Sequence, residues 1–126
     1  MDKVVVPAIE AEVTLLSPQE GGRSTPLQLD HPQAFYRPHI VVGDPHQREA
    51  TFDSNGMGTE EYLGVQFRPA DFRLGPGQSA ILRMDLMFYP ACSYERVQPG
   101  TTFTIREGPQ IVGYGHVLRR SDDGAI

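Results

Sequence analysis

Cys92 is the one cysteine of the 126-residue chain, and it could act as a nucleophile only with a base or a helix amino terminus beside it. It follows Pro90-Ala91 with no helical pattern after it, so it reads as an inert thiol. His31, His39, His46 and His116 share no spacing by which a helix or tight turn presents metal ligands together, and only tertiary structure could unite them. Asp53, Asn55 and Gly58 match the first, third and sixth places of a twelve-residue calcium loop. Met57 at the fifth place offers no hard side-chain oxygen, however, and Gly64 stands where a bidentate glutamate belongs. Glu60-Glu61 and Asp122-Asp123 are adjacent acids in polar segments and read as solvated. A phosphate loop needs a lysine directly after its glycine-rich turn, but Lys3, the only lysine, follows Met1 and Asp2. The sequence therefore predicts no enzyme, no metal, no cofactor and no nucleotide.

The residues with the most to offer lie in TTFTIREGPQIVGYGHVLRR, residues 101–120, where two alternating runs pinch around Arg106-Glu107-Gly108-Pro109. A charged hairpin tip keeps a ribbon end soluble and discourages edge pairing. The same arginine and glutamate could instead be a surface that a partner reads.

Positioning such a tip is work for strands. Thirteen glycines and eleven prolines, spread along the chain, make a long helix hard to sustain. Period-two alternation recurs instead, over 9–16, 36–42, 62–67, 79–89, 101–106 and 111–118. Ile9, Ala11, Val13 and Leu15 share one face of the first candidate strand. Ala80, Leu82, Met84, Leu86 and Phe88 share one face of the fourth. In the fifth, Phe103 and Ile105 are expected inward, and Thr102, Thr104 and Arg106 outward. Gly113 and Gly115 fall on the face of Ile111 and Val117, which marks a bend or the close approach of another backbone, as at the corner of a small closed barrel. Six short strands at this spacing predict an antiparallel barrel or sandwich. Residues 43–61, GDPHQREATFDSNGMGTEE, break the rhythm and read as a long mobile loop.

The length is that of a single domain spanning 1–126. Met1 reads as an initiator, and the short apolar run of Val4 to Val6 falls below what a signal peptide's core requires. No window approaches a membrane span, and a lone cysteine suits a reducing compartment, so the expected address is cytoplasmic. A net charge of -5 weighs against sequence-independent nucleic-acid binding.

Several stretches fit one further pattern. EAEVTLLS at 10–17, EGGRSTPL at 20–27, YRP at 36–38, GPGQ at 75–78, FTIREG at 103–108 and VGYGHV at 112–117 occur in an order that resembles the C-terminal domain of bacterial translation elongation factor Tu. The resemblance covers about residues 8–120, with 43–61 as an insertion. It implies a six-stranded antiparallel closed β-barrel without the family's GTPase domain. It also implies that a tRNA-facing side would map to Arg23, to His39 after YRP, and to Glu107 and Gly108. Three departures bear on that side: His39 replaces a glutamine common in the family, Tyr89 stands where a lysine is frequent, and Pro109 removes a backbone N–H. The reading of the sequence is a stand-alone, non-catalytic barrel that docks a protein partner, in a context related to translation. Arg23, Tyr36, Arg37, Arg106 and Glu107 are expected at its recognition edge. The alternative is a tRNA- or RNA-binding domain using an edge formed by Arg23 and Arg106.

Overall fold

Apolar side chains at every second position can all be buried only if their strands share one interior, and six of them here close on themselves. The computed structural model describes residues 5–31 and 35–126; Met1 and Lys3 lie outside them. It contains β1 (Ala8–Leu15), β2 (His39–Val42), β3 (Leu63–Phe67), β4 (Ser79–Leu86), β5 (Thr102–Glu107) and β6 (Gln110–Ser121), with one short 3-10 turn at Pro18–Glu20. The strands form a closed barrel in the order β1-β4-β3-β2-β5-β6, and every neighbouring pair is antiparallel. The expected fold class is therefore the observed one. Among the described residues no helix is long and apolar enough to cross a membrane.

The interior is built from the faces that the alternation marked. Ile9, Val13, Ile40, Val65, Phe67, Met84, Leu86, Phe103 and Ile105 are all buried in one continuous core. Burying each such side chain is worth about 1.5–3 kcal/mol, which is the main force holding the cylinder shut. Gly113 and Gly115 mark the close approach expected of them. A Cβ on Gly115 would lie 2.3 Å from the Glu12 carbonyl oxygen, and one on Gly113 would lie 2.7 Å from that of Thr14, so β6 meets β1 at a distance only glycine permits.

Four details differ from the alternation pattern. Ile105 pairs with Gly113 but Arg106 pairs with Ile111, so Val112 is an extra residue in β6. This bulge places Val112 in the core beside Gly113, and Ile111 is buried outside that core cluster. β4 stops at Leu86, and Phe88 is half exposed with its ring lying where a Gly64 Cβ would be. The second strand is assigned from His39 because Pro38 has no N–H for the ladder, yet the chain runs alongside β3 from Tyr36. The carbonyls of Tyr36 and Pro38 accept hydrogen bonds from the amides of Phe67 and Val65 at 2.9 and 3.1 Å.

Residues 43–61 are the β2–β3 connection, and they are tied down. Phe52 and Gly58 form a bridge, and the Thr51 and Thr59 hydroxyls lie 2.8 Å apart, which zips the segment into a strap. Asp53 Oδ1 caps its tip, accepting from the amides of Asn55 and Met57 at 2.9 Å. The strap lies against the outer wall of β5 and β6 and contributes no buried side chain.

Candidate functional site

The chain leaves β1 through the Pro18–Glu20 turn. The amide of Gly22 returns to the Ser17 carbonyl at 2.9 Å. A Cβ at Gly22 would sit 2.3 Å from the Leu16 carbonyl oxygen, so this return also requires glycine. It delivers Arg23 to the β5–β6 hairpin, and the Gln110 side chain reinforces the approach by donating to the Gly21 carbonyl at 2.9 Å. Glu107 ends β5 and Gly108 turns the chain at φ 60.

Arg23, Tyr36 and Glu107 converge there on one oxygen. The Arg23 guanidinium is ion-paired to Glu107 Oε2, and the Tyr36 hydroxyl donates to the same atom at 2.6 Å. Arg23 also lies 5.5 Å over the Tyr36 ring and donates to the carbonyl and the hydroxyl of Thr25, each at 3.2 Å. Tyr36 is braced from behind by an edge-on contact with Phe67 at 5.0 Å. Burial pushes the Tyr36 phenol well above its ordinary range, and the Glu107 carboxylate pushes it further. The group is a preassembled acceptor and cation, with neither charge unpaired.

Two open clefts flank this cluster. One, of about 360 Å³, is lined by Arg23, Thr25, Leu27, Gln28, Phe35 and Tyr36. The other, of about 300 Å³, is lined by Gly22, Arg23, Ser24, Thr25, Glu107 and Gln110. Phe35 is 62% exposed at the first cleft. Arg37 stacks 5.5 Å over Phe35 and donates to Gln66 at 2.9 Å, so it borders the same edge.

The other expected site residues are elsewhere. Arg106 is fully buried, which corrects the expectation that it forms an exposed patch with Arg23. It points outward from β5 as the alternation requires, but the strap covers it. Its Nη1 and Nη2 donate to the two oxygens of Glu60 at 2.9 Å each, its Nη1 also reaches the Tyr62 hydroxyl at 3.0 Å, and its Nε donates to Thr104 at 2.9 Å. Glu60 is therefore not a solvated carboxylate. The Arg106 fork beside it, helped by the Thr51 amide and the Gln47 side chain, holds its carboxyl down at about 2. His39 pairs across the sheet with Arg106 and lies against the Tyr62 ring at 5.9 Å, so it belongs to this covered wall. Tyr89 sits in the turn after β4, 43% exposed and outside both clefts.

Folding does unite two of the histidines. His46 on the strap and His116 on β6 line one cleft of about 240 Å³ with Glu12 and Tyr114, although no group of three metal-ligating side chains occurs among the described residues. Cys92 is partly buried against the core. Sequence reasoning did not identify Thr25, which braces Arg23, or Glu60 and Tyr62, which hold Arg106. The one available signal was the pair of acids ending an otherwise irregular insertion. No protein-family model matches the chain.

Proposed function

We propose that this barrel is a non-catalytic binding module of the kind found at the C-terminus of translation elongation factor Tu, and that it docks a protein partner through the edge made by Arg23, Tyr36 and Glu107. The proposed setting is the cytoplasm, in a role connected with translation. The observation carrying this reading is the convergence of the three side chains on one carboxylate oxygen between two open clefts. An arginine and a tyrosine already fixed in place lose little side-chain freedom on docking, and such residues dominate protein interfaces. Phe35 adds an exposed aromatic face at the rim. The motifs GGR, YRP and IREG, which carry the family resemblance, supply all three residues.

RNA binding through Arg23 and Arg106 draws less support. Arg23 is already paired with Glu107, and Arg106 is buried against Glu60, so neither offers a free cation to a phosphate.

Affinity capture with quantitative mass spectrometry separates these readings. A protein recovered by the wild type should fall at least about tenfold with Arg23→Ala and be retained by Arg73→Ala, whose side chain is 61% exposed and lines neither cleft. Equal recovery by all three proteins would remove the docking edge. A steeply salt-dependent shift of tRNA by the wild type would favour the RNA reading instead.

A further inference from the structure

The protein's negative charge is concentrated in one element. The strap holds Asp44, Glu49, Asp53, Glu60 and Glu61 against Arg48 alone, a net of -4 out of the chain's -5, so the rest of the molecule carries only -1. This acidic element lies over a wall whose central residue is a fully buried arginine. Such a pair is rarely the most stabilising way to fill a space, because desolvation offsets most of the attraction; its best-attested use is to fix one arrangement among several. The wall already holds one carboxylate, both oxygens of Glu60 accepting from Arg106. Arg106 presents a fork, the Tyr62 hydroxyl lies 3.0 Å from Nη1, and Thr104 orients Nε.

The barrel's core and strand ladders do not run through the strap. None of its side chains is in the core, and its internal ties, Thr51 to Thr59 and Asp53 to Met57, would travel with it. What holds it to the wall is Glu60 on Arg106, Arg48 at 5.2 Å over Tyr114, and, at its root, Gly43 hydrogen-bonded to Thr102. Elements held outside the core by few contacts open locally before the barrel does.

We propose that Arg106, Tyr62 and Thr104 form a binding site for an aspartate or glutamate side chain of an acidic partner peptide, and that Glu60 occupies this site until such a peptide displaces the strap. The wall favours a peptide over a nucleic acid. It offers one forked cation matched to one planar carboxylate, whereas a phosphodiester backbone needs a run of cations. Arg106 precedes Glu107 in β5, but Arg106, Tyr62 and Thr104 line neither of the clefts beside Arg23, and the proposal does not depend on that edge.

The test uses the whole chain with two fluorescein-labelled probes, a hexaglutamate peptide and a twelve-residue oligouridylate. Glu60→Ala should bind the peptide at least about tenfold more tightly than the wild type and speed amide exchange at Gly43, whose N–H ties the strap to the Thr102 carbonyl, by a similar factor, with the β5–β6 ladder unchanged. Adding Arg106→Met, or Arg106→Lys if the first does not fold, should abolish the gain. Glu61→Ala, which removes a neighbouring exposed charge, should produce neither effect. The proposal is overturned if Glu60→Ala binds the peptide no better than the wild type, if the gain survives both Arg106 changes, if Glu61→Ala reproduces it, or if the oligouridylate outcompetes the peptide.

Discussion

Glu107 and Glu60 are each held by an arginine and a tyrosine or threonine, but the two groups carry different consequences. At Glu107 the Tyr36 hydroxyl makes a charge-assisted hydrogen bond in a half-buried setting, so Tyr36→Phe should lower the unfolding free energy by about 1–2 kcal/mol in a urea titration, with the barrel's circular dichroism unchanged. At Glu60 the effect is one of pH. Its folded-state carboxyl lies near 2, below the ordinary 4.5, so its contribution is complete above pH 4.5 and is lost as the pH falls toward 2. A carbon-13 titration of Glu60 should show that low midpoint, and Arg106→Lys, which removes the fork, should raise it. A midpoint at the ordinary value in the wild type would mean that the pair does not form. These two clusters were hard to read in the sequence for a simple reason. Arg23 and Glu107 are 84 positions apart and Arg106 and Glu60 are 46 apart, so no local pattern joins them. What the motifs did mark was Arg23, Tyr36 and Glu107 singly.

At the scale of the element, the alternation of apolar residues located all six strands, because a closed interior admits only one face of each. It did not reveal the Val112 bulge, which depends on register against β5 and leaves no trace in a hydrophobic run. The paired glycines of β6 were legible because a glycine in a strand needs a reason, and the reason is the β1 backbone. Gly115→Ala should therefore cost about 3 kcal/mol or prevent folding, since its Cβ would meet the Glu12 carbonyl at 2.3 Å and the Phe103 ring at 2.9 Å. Gly58→Ala, in the strap with open space around it, should change stability by no more than about 0.5 kcal/mol. Thermal melts of the two variants side by side check the contrast. Similar melting temperatures would show that β1 and β6 are not so closely apposed.

For the whole molecule, barrel and strap count as separate units. Every strand pairing and every core side chain lies outside residues 43–61, so replacing 44–60 with a short glycine-serine turn should leave a folded barrel with its amide spectrum otherwise preserved. Loss of cooperative unfolding would show that the strap is part of the fold instead. Its irregular composition announced an insertion, but its packing rests on pairings distant in sequence, Glu60 with Arg106 and Arg48 with Tyr114, which neither composition nor period could disclose. The central claim concerns the residue after Arg106, Glu107 at the end of β5, where the barrel presents Arg23, Tyr36 and Glu107 between two clefts. The most direct test is a nitrogen-15 amide spectrum of the labelled protein titrated with the partner recovered by capture. The shifted or broadened amides should cluster at 21–28, 35–37 and 107–110. A footprint confined to the far side of the barrel, around β4 and its following turn, would contradict the account.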